Sequence, residues 1–71
     1  MGTVEFRVVP REGHWCVVVG DKRHCHYSTE EEAATDAINV ARSTRLMGIL
    51  SVVTLQTEDR QIPTVLWPKA A

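Results

Sequence analysis

A cysteine stands between two histidines in His24-Cys25-His26, and a similar pair, His14 and Cys16, lies upstream. Thiolate and imidazole are the usual ligands of zinc and copper. A thiol beside an imidazole base can also act as a nucleophile. What these four residue types can do together depends on which of them share a face. In a strand, successive side chains point to opposite sides. His24 and His26 would then face one way, and Cys25 the other way with Arg23 and Tyr27.

Two arguments about the hairpin partner strand disagree. A two-residue turn at Gly20-Asp21 pairs Cys16 with Cys25, and glycine at its first position suits a II′ turn. That register puts His24 and His26 on the face of Trp15, Val17 and Val19, where burying two imidazoles is costly. A three-residue Gly20-Asp21-Lys22 loop instead groups Trp15, Val17, Val19, Cys25 and Tyr27. It leaves His14, Cys16, His24 and His26 together on the opposite face. Register follows the buried face where that face is strong, so the second arrangement is preferred.

The quartet His14, Cys16, His24 and His26 has the chemistry of a metal site but not the spacing of a known one, since short-range pairs such as Cys-x-x-Cys are absent. The preferred reading is half-exposed polar residues on an open sheet face, with no cofactor and no stoichiometric zinc. A catalytic role for either cysteine needs a cleft, and a domain of this size has little room for a pocket of about 300 Å³. Glu30, Glu31, Glu32 and Asp36 read as capping and solvating groups, and no glycine-rich phosphate loop exists. An enzyme is not expected.

The elements that carry these residues are legible in order. Val4 to Val9 alternates as a strand, and Pro10 to Gly13 reads as a turn. His14 to Val19 is a β-branched and aromatic second strand, and Arg23 to Tyr27 a short third. Ser28 or Thr29 then caps a helix, each with a glutamate three residues on, Glu31 or Glu32, to complete a capping box. The three consecutive glutamates suit the positive end of the helix dipole, and Arg42 and Arg45 the negative end. Ala33, Ala37 and Ala41 form a small apolar stripe that lets a helix lie close on a sheet, and Gly48 is a helix stop. Ile49 to Thr57 is a fourth strand, Glu58-Asp59-Arg60 a turn, and Gln61 to Trp67 a last strand that Pro63 marks as an edge.

The expected fold is α+β: order β-β-β-α-β-β, a mostly antiparallel four- or five-stranded sheet with one helix packed on one face. A right-handed return through the helix sets the fourth strand parallel to the first, at the sheet centre. Residues 1–71 make a single domain. A chain of 71 residues buries only about 60% of its unfolded surface, so its core is thin. With 44% hydrophobic and 24% charged residues it is nonetheless a globular composition. Charged residues at Glu5, Arg7, Arg11 and Glu12 break any apolar leader, Phe6 stands where a myristoylation motif wants Ser or Thr, and no run is long enough for a membrane span. The expected location is the cytosol, with both cysteines as reduced thiols.

The segments Phe6 to Val18, Tyr27 to Ala41 and Val52 to Ile62 resemble the short bacterial domains of domain-of-unknown-function family 2188. Val8-Val9-Pro10, Trp15, Val17, Thr29, Glu32, Ala33, Ala37 and Ala41 carry the likeness. His14 between Gly13 and Trp15, Glu30 in place of a lysine, and the lack of glycine after Asp59 depart from it. The resemblance implies a fold and no activity. The stretches around Trp15 and Leu66-Trp67-Pro68 also resemble MbtH-like proteins, small accessory partners of peptide-synthesising adenylation domains, but in inverted order.

Two functions are compatible with this composition. The first is a small interaction module, a homodimer or an accessory to a larger protein, because apolar residues fall on both sheet faces while one helix covers one. Val18, Leu50, Val52 and Trp67 are the expected interface residues. The alternative is nucleic-acid binding, with Arg7, Arg11, Lys22, Arg23 and Arg60 on the loops and Trp15, Tyr27 and Trp67 stacking on bases. A net charge of −1 argues against it.

Overall fold

A computed structural model describes residues 2–59 and 61–69. The order of elements is β1 (Val4–Arg11), β2 (His14–Val19), β3 (Lys22–Tyr27), α1 (Glu30–Leu46), β4 (Ser51–Leu55) and β5 (Thr64–Trp67). They form a five-stranded sheet in the order β3-β2-β1-β4-β5. The expected element order therefore holds. The sheet is mixed: β1 runs parallel to β4, and the β1–β2, β2–β3 and β4–β5 pairs are antiparallel. The helical return does bring β4 beside the central β1 in parallel.

Several boundaries differ from those expected. Pro10 and Arg11 belong to β1, because the reversal needs only Glu12 and Gly13, both at positive φ, with Arg11 paired to His14. Two positive φ values give a twist that matches the flanking strands. Ile49 and Leu50 precede β4 rather than opening it, and β5 starts after Pro63. Arg60, expected in the turn between those strands, lies outside the described residues.

The β2–β3 turn is the two-residue Gly20-Asp21, with Val19 opposite Lys22. Gly20 supplies the positive φ, 59°, that its first position requires. This overturns the preferred three-residue loop. The objection to the two-residue register assumed that the helix covers β3. It does not, and Lys22 to His26 are all exposed.

Helix α1 is capped by Thr29, whose hydroxyl accepts from the Glu32 backbone N–H at 3.1 Å. The Glu32 carboxylate accepts in turn from the Ser28 N–H at 3.0 Å. Of the two capping boxes the sequence offers, the chain uses Thr29 with Glu32. The helix stops at Gly48, whose φ of 88° few other residues adopt. Its buried residues are Ala33, Ala37 and Ala41, the predicted stripe.

Those alanines meet Phe6, Val8, Val17 and Val53 to make the core. Valine and alanine dominate it, so it is as thin as the chain length implies. Two buried hydroxyls are satisfied. Ser51 donates to the Ala41 carbonyl at 2.7 Å and Thr54 to the Glu5 carboxylate at 2.9 Å, so neither incurs a desolvation loss. No described helix is long and apolar enough to cross a membrane.

Candidate functional site

The His-Cys-His segment is arranged by an irregularity in β3. Val17 pairs with His24 and Trp15 with Tyr27, so Cys25 and His26 together stand opposite Cys16 alone. One extra residue in an antiparallel pair is a β-bulge, and it switches the side-chain alternation beyond it. His24 therefore lies on the helix side with Val17, Cys25 on the back with Cys16, and Tyr27 on the helix side again with Trp15. The expected back-face quartet does not assemble: His24 and His26 leave it, and Cys25 takes their place.

Cys16 and Cys25 are joined in a disulfide, their Cα atoms 4.0 Å apart. This corrects the expectation of two free thiols. The pairing was available in the sequence, because the Gly20-Asp21 turn alone brings residues 16 and 25 opposite each other. Cys16 is fully buried and Cys25 exposed. The ligating atoms of His14, Cys16 and Cys25 all lie within 4.8 Å of one another. His14 reaches the pair because it is two residues from Cys16 in β2 and so shares its face.

On the other side of β3 the two remaining histidines border a groove. Phe6, Val17, Val19, Ala37 and Val40 form its apolar floor and wall, and His24, His26, Tyr27 and Asp36 its polar rim. Its volume is about 230 Å³, smaller than the usual ligand cavity of 300–1,000 Å³. The His26 and Tyr27 rings stack with centroids 4.2 Å apart. The Tyr27 hydroxyl donates to the Asp36 carboxylate. Burial raises the phenol pKa to about 12, helped by that hydrogen bond and by the charge of Asp36. Asp36, expected to be a solvating carboxylate, is thus a partner of the edge strand. Its position two turns into the helix, nine residues after Tyr27, is the sequence signal that this contact left.

The back of the sheet has no helix over it. Val18 and Val52 lie there, half-buried, with Val9 beside them and Val65 exposed. The face is not uniformly apolar, because Glu5, Arg7, Arg11 and Arg23 alternate with the valines. Arg7, Arg11, Lys22 and Arg23, with Asp21 among them, surround Val9 and Val18 in a hollow of about 220 Å³. Two of the expected interface residues lie elsewhere. Leu50 is exposed in the α1–β4 connection with Met47 and Ile49, beside the exposed Leu46 at the end of α1. Trp67 is paired with Val53 and packs on the helix-side core, with the Arg45 guanidinium 4.9 Å from its ring centroid. A second register shift, between Val53 and Thr54, reverses its side.

Compared with protein-family models, with curated proteins and with solved structures, the chain has no match.

Proposed function

We propose that this protein is a small non-enzymatic interaction module whose contact surface is the uncovered face of its sheet, and that its first partner is a second copy of itself. One observation carries the reading: α1 covers one face, and the other presents Val9, Val18, Val52 and Val65 to solvent. Apolar surface of this kind on a thin-cored domain is a reason to recruit a second subunit. Two-fold pairing brings the same patch against itself. Glu5 and the flanking arginines then offer opposite charges across the axis. The likeness to domain family 2188 belongs to the same reading as an expectation of fold. An accessory role to a larger protein would use the same face. Sedimentation equilibrium tests the proposal. A dimer at micromolar concentration is expected, and a monomer throughout the accessible range would overturn it.

Nucleic-acid binding remains the second reading because of the hollow formed by Arg7, Arg11, Lys22 and Arg23. Three back-face arginines with Lys22 at the strand end, and Asp21 among them, can neutralise few phosphates, so an affinity no tighter than about 10⁻⁴ M at physiological salt is expected. Micromolar binding to mixed oligonucleotides, weakening steeply with added salt, would replace the first reading by this one. A cytosolic location is compatible with the disulfide only as a transient or regulated bond.

A further inference from the structure

The geometry points to a redox-gated metal site: once the Cys16–Cys25 bridge is reduced, Cys16, Cys25 and His14 bind one zinc ion. In the bridged form both sulfurs are committed to each other and have no thiolate to give. The bridge nevertheless holds three ligands of the correct chemistry at one place, two sulfurs and an imidazole, with their donor atoms within 4.8 Å. A tetrahedral zinc ion with two thiolates and one imidazole needs donors roughly 3.5–3.8 Å apart. Once the bridge is broken the two sulfurs have to move apart and the His14 imidazole has to come closer, adjustments of side chains on backbones that already sit 4.0 Å apart at the two cysteine Cα atoms. The bulge opposite Cys16 bends the strand away from a flat sheet, and His14 sits beside the Glu12-Gly13 reversal rather than mid-strand. Three protein ligands and an open fourth position for water describe an accessible zinc site.

Cys25 is exposed and Cys16 fully buried, so a dithiol reductant approaches the bridge from Cys25. A reductant thiolate bonds to Cys25 Sγ as the Sγ–Sγ bond breaks, and Cys16 leaves as a thiolate. The second reductant thiol, after losing its proton, displaces Cys25 and closes the reductant's own disulfide. Two electrons pass from reductant to protein, and the two cysteine sulfurs take up two protons. Zinc binding then releases those two protons and uses the neutral imidazole of His14. The protein therefore has a bridged state without metal and a reduced state with it. The donor set differs from the four residues that spacing alone suggested, in that Cys25 replaces His24 and His26.

Cobalt(II) reports this directly. Anaerobic, dithiol-reduced protein freed of excess reductant is expected to bind one equivalent of cobalt, with the intense visible absorption of a tetrahedral thiolate site. One equivalent of zinc should bleach it. The untreated, bridged protein should give no such signal. His14→Ala should weaken binding at least about tenfold, whereas His24→Ala should leave it unchanged. Circular dichroism accompanies each titration. If reduction unfolds the chain, cobalt must restore the fold, because metal and folding energies are then linked. Absence of cobalt binding to reduced protein, equal binding by the His14→Ala variant, or loss of binding on His24→Ala would each overturn the site.

Discussion

Tyr27, at the end of the edge strand, donates its phenolic proton to Asp36 in the second turn of the helix. This contact fastens β3 to α1 where the helix otherwise leaves that strand uncovered. The phenol is held at a pKa of about 12, above the ordinary tyrosine value of 10.0. A raised folded pKa means that the stabilisation is fully present below pH 10. It is lost as the pH rises towards 12, because the unfolded chain ionises first.

Tyr27→Phe should therefore flatten the loss of stability between pH 10 and 12 relative to the native chain. The difference should amount to no more than about 1 kcal/mol, since the group is only partly shielded from solvent. Urea unfolding of both proteins across that range measures it. Parallel curves would show that Tyr27 ionises alike in the folded and unfolded chains.

Replacing both cysteines by alanine should destabilise the domain by about 2–3 kcal/mol, the loop-closure contribution expected for so short a loop. Urea midpoints without reductant give the value. Native protein treated with a dithiol, in the absence of metal, should fall by a similar amount.

Ala41→Leu should cost about 1–3 kcal/mol, because Ala41 is fully buried between helix and sheet and overpacking forces the helix outward. Val40→Leu, at a half-exposed position on the same helix, should change stability by less than about 0.5 kcal/mol. Equal effects in chemical denaturation would mean that the helix does not seat on the stripe.

If copies of the chain meet through the back of the sheet, Val52→Glu should yield a monomer of lower stability, since an unpaired charge is costly in a buried contact. Leu50→Glu, in the α1–β4 connection, should leave the assembly intact. Light scattering separates the two, and a monomer from Leu50→Glu alone would move the contact to that connection.

The order of elements, a capping box at Ser28 or Thr29 and the parallel return to β1 were legible because each follows from local chemistry or from chain handedness. Side-chain facing was not. At Cys25-His26 and again between Val65 and Trp67, one extra residue reverses the alternation, and hydrophobic pattern alone does not reveal where a strand takes up such a residue. That is why Cys25 joined the candidate site, His24 and His26 left it, and Trp67 turned from the back face to the core. The Cys16–Cys25 pairing could have been read from the Gly20-Asp21 turn. The opposing argument, that this register buries two imidazoles, fails because α1 leaves His24 and His26 exposed.

The strand that leads the chain lies in the middle of the sheet, and this orders events during synthesis. The β1–β2–β3 meander can pair as soon as Tyr27 has emerged from the ribosome, through two tight reversals. The other edge of β1 must wait, because its partners are far away in the chain: Glu5 and Thr54, hydrogen-bonded to each other, are 49 residues apart. Such distant pairing is slow to form. Until β4 emerges from the ribosome, the nascent meander carries an unfilled row of backbone donors and acceptors along β1, which is its edge until then. A neighbouring nascent chain that supplied its own β4 to that row would produce an exchanged pair with the same strand contacts as the monomer.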